Sequence, residues 1–257
     1  MKKYILLNLC FITAMNVFAQ QPDPKFELYI LAGQSNMAGR GIITDEFKNE
    51  GNSNVYMLTK DNQWVLAKHP VHFDKPTAGV GPGLAFGIAM AKANPTVKIG
   101  LIPCAVGGTP IEHWLPGAYD PATKTHPYDD AVSRIKYAMQ FGVIKGIIWH
   151  QGEANSTPEK AKIYLAQLTE LIGRFRILVN NPDLPFVAGE LGQYRPEFVY
   201  INTELARLPA AVPHTALATT ENLVHRGDTL HFSSPSADEL GRRYAVKMLE
   251  LQKGSKK

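Results

Sequence analysis

Four short stretches of the chain carry side chains suited to acyl transfer. Gly33-Gln34-Ser35-Asn36-Met37-Ala38-Gly39 offers a hydroxyl between two glycines, and Val106-Gly107-Gly108-Thr109 offers unobstructed backbone N–H groups. Trp149-His150-Gln151-Gly152-Glu153 offers a side-chain amide and a carboxylate. Asp228-Thr229-Leu230-His231 offers an imidazole three residues after a carboxylate. A serine becomes a nucleophile when a histidine takes its proton, and an aspartate sets that histidine's tautomer and stabilises its charged form. Glycine N–H groups and a glutamine amide can hold the oxyanion that develops. Each stretch is a weak signal alone. Ser35 reads equally as a helix cap, the Gly107 stretch as an ordinary loop, and most Asp-x-x-His pairs carry no chemistry. Glu153 reads as a buried carboxylate that orients its neighbours. His150 reads as structural, because strand alternation turns it away from the face of Trp149.

The remaining candidates point elsewhere. His69, His72, His113, His126, His214 and His225 fall in predicted loops without H-E-x-x-H or a comparable ligand spacing, so no metal site is expected. No Walker loop and no G-x-G-x-x-G motif is present, so no nucleotide cofactor is expected. Met37 stands where the nucleophile elbow G-x-S-x-G has its second glycine. Cys10 lies in the N-terminal apolar run, which leaves Cys104 alone after a strand-like segment. It reads as a small buried residue, and no internal disulfide is available.

The elements that must position these stretches are legible from periodicity. Phe26–Ala32, Val97–Pro103, Val143–His150, Pro185–Leu191 and Thr215–Thr219 read as strands. Helices are predicted over Gly83–Ala93, Tyr128–Phe141, the stretch after Thr157-Pro158, Phe198–Arg207 and the segment ending at Leu251. In the third of these, Ile163, Leu168, Leu171, Ile172 and Phe175 recur at helical spacing. Ser156 with Glu159, and Ser236 with Glu239, have the capping-box separation. Five alternations of strand and helix predict a parallel sheet covered on both faces. Sites in such sheets lie beyond the carboxyl ends of the strands, where all four stretches fall. Residues 42–80 show little pattern.

Composition sets the outer limits. A chain of 257 residues with 45% hydrophobic content can bury a sizeable core, and 19% charged residues argues against disorder. The net charge of +4 is spread, much of it at Lys2, Lys3 and Lys253–Lys257, so no nucleic-acid footprint is read. Lys2-Lys3, the apolar run from Tyr4 to Val17 and the exit at Ala19 have the order of a secretory signal peptide. Cleavage after Ala19, a single domain over residues 20–257, and secreted or periplasmic localisation with no membrane association after cleavage are therefore expected.

Taken together, GQSNMAGRG (33–41), VGGTPIEHW (106–114), WHQGEAN (149–155) and DTLHFS (228–233) resemble the SGNH-hydrolase superfamily. More narrowly they resemble its branch of carbohydrate acetylesterases, with the acetylxylan esterases of carbohydrate esterase family six and the sialate O-acetylesterases. The resemblance spans the chain from the first strand to the last helix. It implies a flavodoxin-like three-layer α/β/α sandwich with a five-stranded parallel sheet, and cofactor-free ester hydrolysis. It implies Ser35 as nucleophile, His231 as general base and Asp228 as its orienter. The implied oxyanion donors are the Ser35 and Gly107 N–H groups and the Gln151 side chain. Gly108 rivals Gly107, since the sequence does not set the phase of the turn. The expected partner is an acetylated carbohydrate, acetylxylan or a related plant oligosaccharide first and O-acetylated sialic acid second. A non-catalytic carbohydrate-binding protein on the same fold is the remaining reading. Trp114 and Tyr119 read equally as sugar-stacking residues and as packing for their loop. Oligomeric state is not legible.

Overall fold

A computed structural model describes residues 21–254. The expected leader, residues 1–19, lies outside the described residues. Seven strands form one sheet: β1 (Asp23–Gly33), β2 (Val55–Leu58), β3 (Trp64–Leu66), β4 (Lys98–Pro103), β5 (Gly142–His150), β6 (Phe186–Gly189) and β7 (Thr215–Ala218). Their order is β3-β2-β4-β1-β5-β6-β7, parallel throughout except for β3, which runs antiparallel to β2.

The five expected strands all form and keep the flavodoxin-like succession β4-β1-β5-β6-β7. The count of five is corrected to seven by a hairpin within residues 42–80. Its strands have four and three residues, too few for a periodic signal. β2 becomes a strand because Val55, Tyr56 and Met57 pair with Ile99, Gly100 and Leu101 of β4, a long-range partner that no local pattern records.

Side chains of β1 alternate between two cores. Phe26, Leu28, Ile30 and Ala32 face one; Tyr29 and Leu31 face the other. The first core is covered by α4 (Pro127–Ala138), α5 (Pro158–Leu178) and α6 (Phe198–Ala211). The second is covered by α3 (Pro82–Ala93) and α7 (Ser234–Gly254). Two four-residue helices, α1 (Ser35–Ala38) and α2 (Asp45–Lys48), follow β1. Burying a single Leu or Phe of these faces contributes about 1.5–3 kcal/mol, so the core rather than any cross-link holds the fold.

Two local expectations need correction. Ile163 is 54% exposed, and Tyr164 takes the inward place in α5. The Ser236–Glu239 pair does not cap α7. Ser233 precedes that helix, its Oγ accepts from Ser236 N–H (3.4 Å), and Ser236 Oγ instead accepts from Val224 N–H (2.9 Å). At α5 the hydroxyl of Thr157 does accept from Lys160 N–H (3.4 Å), while Ser156 turns to the Gly152 carbonyl.

Candidate active site

β1 is the topological switch of the sheet. The chain leaves it toward β2 and β4 on one side, then crosses to β5 on the other. Such a point opens a crevice at the carboxyl ends of the strands. Gly33 ends β1 at φ +129°, where a Cβ would stand 2.1 Å from the His150 carbonyl oxygen, so only glycine lets β1 and β5 approach this closely. The chain turns there, and Ser35 opens α1 as its first residue.

Ser35 meets the other end of the chain. His231 Nε2 lies 3.1 Å from Ser35 Oγ, and His231 Nδ1 lies 2.7 Å from Asp228 Oδ2. Burial raises the Asp228 carboxyl, but hydrogen bonds from the His231 and Leu230 N–H groups, the His231 ring and Arg226 outweigh it and hold the group well below the ordinary carboxylate range. Asp228 is therefore an acceptor only. His231 must carry its proton on Nδ1, and its Nε2 lone pair faces the serine O–H. Burial lowers the His231 pKa although Asp228 opposes it, so the basic form prevails at neutral pH.

The loop that presents His231 is stitched to itself and to the serine turn. His225 Nδ1 accepts from Gly227 and Thr229 N–H (2.9 and 3.2 Å), and Thr229 is held at φ +53°. The Tyr194 hydroxyl donates to the Leu230 carbonyl (3.1 Å). Asn36 Nδ2 donates to Glu153 Oε1 (2.6 Å) and to the Leu230 carbonyl (3.1 Å), while its Oδ1 accepts from Phe232 N–H (3.1 Å). The Glu153 side chain is 3% exposed at the edge of the cleft, and burial pushes its pKa up to about 7 against the bond from Asn36. His150 lies 3.8 Å from Glu153, too far for a hydrogen bond, and burial lowers it to about 3, so it stays neutral. Its Nδ1–H donates to the Tyr244 hydroxyl (3.1 Å), whose own proton goes to the Trp149 carbonyl (2.8 Å). Burial raises the Cys104 thiol to about 12, as expected for a small core residue.

A cleft of about 510 Å³ opens over Ser35 and His231. Gln34, Gly107, Gly108, Glu153 and Leu230 line it, with Lys75, Arg40, Arg195 and Arg226 around them. Two of the expected oxyanion donors are otherwise engaged. Gly107 N–H donates to Asp74 Oδ2 (2.8 Å), which also pairs with buried Arg40 (2.6 Å). A Cβ on Gly107 would stand 2.2 Å from that guanidinium and displace the buried pair, so the close approach favours glycine here. Gln151 is fully buried behind the cleft. Its two Nε2 protons go to Asn155 Oδ1 (2.7 Å) and to Gln34 Oε1 (3.2 Å) with Thr109 O (3.4 Å) beyond. Gly108 N–H makes no hydrogen bond among the described residues.

Trp114 is wholly buried, edge-on to Trp149 at 5.1 Å, and Tyr119 rests on His126 away from the cleft, so both serve their loop. Sequence reasoning passed over Asn36, Asp74, Asn155 and Tyr194. Asn36 stands beside Ser35 in the same motif, a signal that was available; Asp74 lies in the patternless segment.

Residues 25–250 match the family model "carbohydrate esterase, sialic acid-specific acetylesterase". A probable carbohydrate esterase of Arabidopsis thaliana, At4g34215, is 32% identical over 243 residues, covering 86% of this chain and 90% of that protein. Its crystal structure superposes with a TM-score of 0.77 at 29% identity over 89% of this chain and 99% of that one. NanS superposes at 0.74 with 16% identity, covering 90% and 99%. Axe2, an acetylxylan esterase from Geobacillus stearothermophilus, does so at 0.51 with 12% identity, covering 89% and 96%; these last two likenesses concern the fold. The chain is a carbohydrate esterase of the sialic acid-specific acetylesterase family, on an SGNH-like fold.

Proposed function

We propose that residues 20–257 form an exported serine esterase that removes O-acetyl groups from sugars, with Ser35, His231 and Asp228 as its triad. The observation that carries this is the unbroken line from Ser35 Oγ through His231 to Asp228 at the floor of a cleft, in a chain of this family. His231 Nε2 takes the Ser35 proton as Oγ adds to the acetyl carbonyl. The Ser35 and Gly108 N–H groups face the oxyanion. His231 then returns the proton to the departing sugar oxygen. Water, deprotonated by the same ring, cleaves the acetyl-serine to acetate.

Two substrate classes fit this chemistry, acetylated xylan and O-acetylated sialic acid, and the charge of the rim favours an acidic sugar. Four cations surround the cleft. Arg40 is matched by Asp74, Arg226 by Asp228 and Arg195 by Glu197. Lys75 has no anionic partner among the described residues, and its Nζ stands over the Gly108 turn. A sugar carboxylate would meet it there, whereas a neutral xylan would leave it idle.

Acetate release from acetylated xylan and from O-acetylated sialic acid tests both levels. Ser35→Ala is expected to abolish turnover by a factor on the order of 10⁶ while the fold persists. Undiminished turnover, or glycan binding without acetate release by the parent protein, refutes the catalytic reading. Lys75→Ala is expected to raise KM for the sialate substrate alone. Equal effects on both substrates would return the preference to xylan.

A further inference from the structure

The loop that carries His231 is closed by its own backbone. His225 and Phe232 form an antiparallel bridge, Ser233 N–H donates to the Val224 carbonyl (3.0 Å), and Arg226 N–H donates to the His231 carbonyl (2.9 Å). Arg226 therefore stands across the loop from the base, and its guanidinium reaches two groups at once. Nε donates to Asp228 Oδ2 (2.8 Å), and Nη1 donates to the Arg40 carbonyl (2.6 Å), 186 positions away.

Both ends of that bridge are fixed. Asp228 Oδ1 accepts from Leu230 and His231 N–H (3.0 and 2.8 Å), and its Oδ2 accepts from His231 Nδ1 (2.7 Å) as well as from Arg226. A carboxylate offers about four lone-pair sites, and four donors fill them. The Arg40 carbonyl lies between two pinned glycines. Gly39 N–H donates to the Ser35 carbonyl (2.8 Å), and Gly41 exchanges both backbone bonds with Val80 (3.0 and 2.8 Å). The contacts close a ring: Ser35 Oγ, the His231 imidazole, the Asp228 carboxylate, the Arg226 guanidinium, the Arg40 carbonyl, and back through Gly39 to Ser35.

We infer that Arg226 is a positioning residue, whose guanidinium clamps the Asp228 carboxylate to the Arg40 carbonyl and so holds the His231 ring at a set distance from the serine turn. The inference rests on the serine-esterase reading above and adds a fourth side chain to the three it names. With 37% and 32% of their side chains exposed, Arg226 and Asp228 contribute little stability as a bare ion pair. A planar fork with a second, fixed acceptor contributes geometry instead. Its charge has a separate effect. Burial first, then the charges of Arg226 and Arg40, lower the His231 pKa against the hydrogen bond and charge of Asp228, so the ring keeps its basic form to lower pH. Glu153 from the turn after β5 and Lys75 and Arg195 from the rim line the same cleft, and a change at Arg226 leaves all of them in place.

The test compares the parent protein, Ser35→Ala, Arg226→Met and Arg226→Lys on 4-nitrophenyl acetate across pH. This substrate is neutral, so no charge contact to it is at stake. Arg226→Met removes both the fork and the charge. It is expected to lower kcat by about 10–100-fold, the loss of one charge-assisted hydrogen bond read as rate, with KM within about twofold. The acid limb of kcat/KM should move to higher pH, because His231 loses a neighbouring cation. Arg226→Lys keeps the charge on a single point donor. Its kcat should fall between the other two, and its acid limb should stay with the parent's. Parent-like kcat in Arg226→Met overturns the inference. A lost kcat with an unmoved limb there overturns it too, since it marks a merely structural side chain, as does a loss confined to KM or a limb displaced equally in both variants. Turnover lost in Ser35→Ala but intact in both Arg226 variants overturns the Arg226 assignment alone, whereas turnover that survives Ser35→Ala overturns both readings. Should Arg226→Met fail to fold, Arg226→Gln removes the charge on a polar stem and is read by the same outcomes.

Discussion

The serine side of the cleft and the histidine loop hold their catalytic groups by opposite means. Around Ser35 the supporting contacts are buried and remote in sequence: Arg40 with Asp74, Gly107 with Asp74, and Gln34 with Gln151 across 117 positions. Around His231 they are local and wetter. Asp228 accepts from N–H groups two and three residues ahead and from Arg226 two residues behind, and about a third of its side chain (32%) is exposed. The first region draws its geometry from the sheet, the second from its own turn. Substitutions in the first should therefore be felt in stability, and those in the second in turnover.

Asp228→Asn is the sharpest challenge to that contrast. It keeps the size of the side chain and reverses the tautomer it selects, so kcat should fall by about 10⁴-fold. The urea midpoint should move little, because the group is partly solvated. A large loss of stability would show that the loop depends on Asp228 for more than its histidine.

Asp74→Ala should do the reverse. It strands the Arg40 guanidinium in a buried site and leaves Gly107 N–H without its acceptor. Breaking a buried pair in this way costs about 3–5 kcal/mol, readable by urea unfolding. A cost below about 1 kcal/mol would show that the network is no more than a surface pair.

Glu153 lies between the two regions and couples them to pH. Its carboxyl is raised from the ordinary 4.5 to about 7 in the folded chain. The folded state thus binds more protons than the unfolded state between those values. Its contribution to stability is complete below pH 4.5 and is lost as the pH rises through 7. Glu153→Gln should match the parent near pH 4.5 and exceed it by up to about 3 kcal/mol near pH 8, as unfolding across pH would record. Parallel curves for the two proteins would contradict the burial argument.

Asn36→Ala gives the smallest expected effect. It removes a link between the two regions and leaves Phe232 N–H unpaired, while the Leu230 carbonyl keeps only its bond from Tyr194, for about 1–3 kcal/mol. kcat should fall with little change in KM, because the His231 loop loses one tether to the serine turn. Unchanged kcat would mean that Tyr194 and the loop's own hydrogen bonds suffice to place His231.

The sequence by itself determined the strands that bury both faces, the long helices with one apolar stripe, and the motifs placed at strand ends. These are signals of period two and 3.6 and of residue type, which solvent exclusion imposes on each segment separately. It also singled out Ser35, Asp228 and His231 as residues of matching chemistry. Only the tertiary structure decided what depends on partners far along the chain: the β2–β3 hairpin that needs β4 beside it, the Asp74 carboxylate that occupies the Gly107 N–H, and the chain of amides from Asn155 through Gln151 to Gln34. An amide donates or accepts with equal ease, and no local pattern records which. Its direction is settled only when folding sets Ile111 N–H, Glu112 and Asn155 around Gln151.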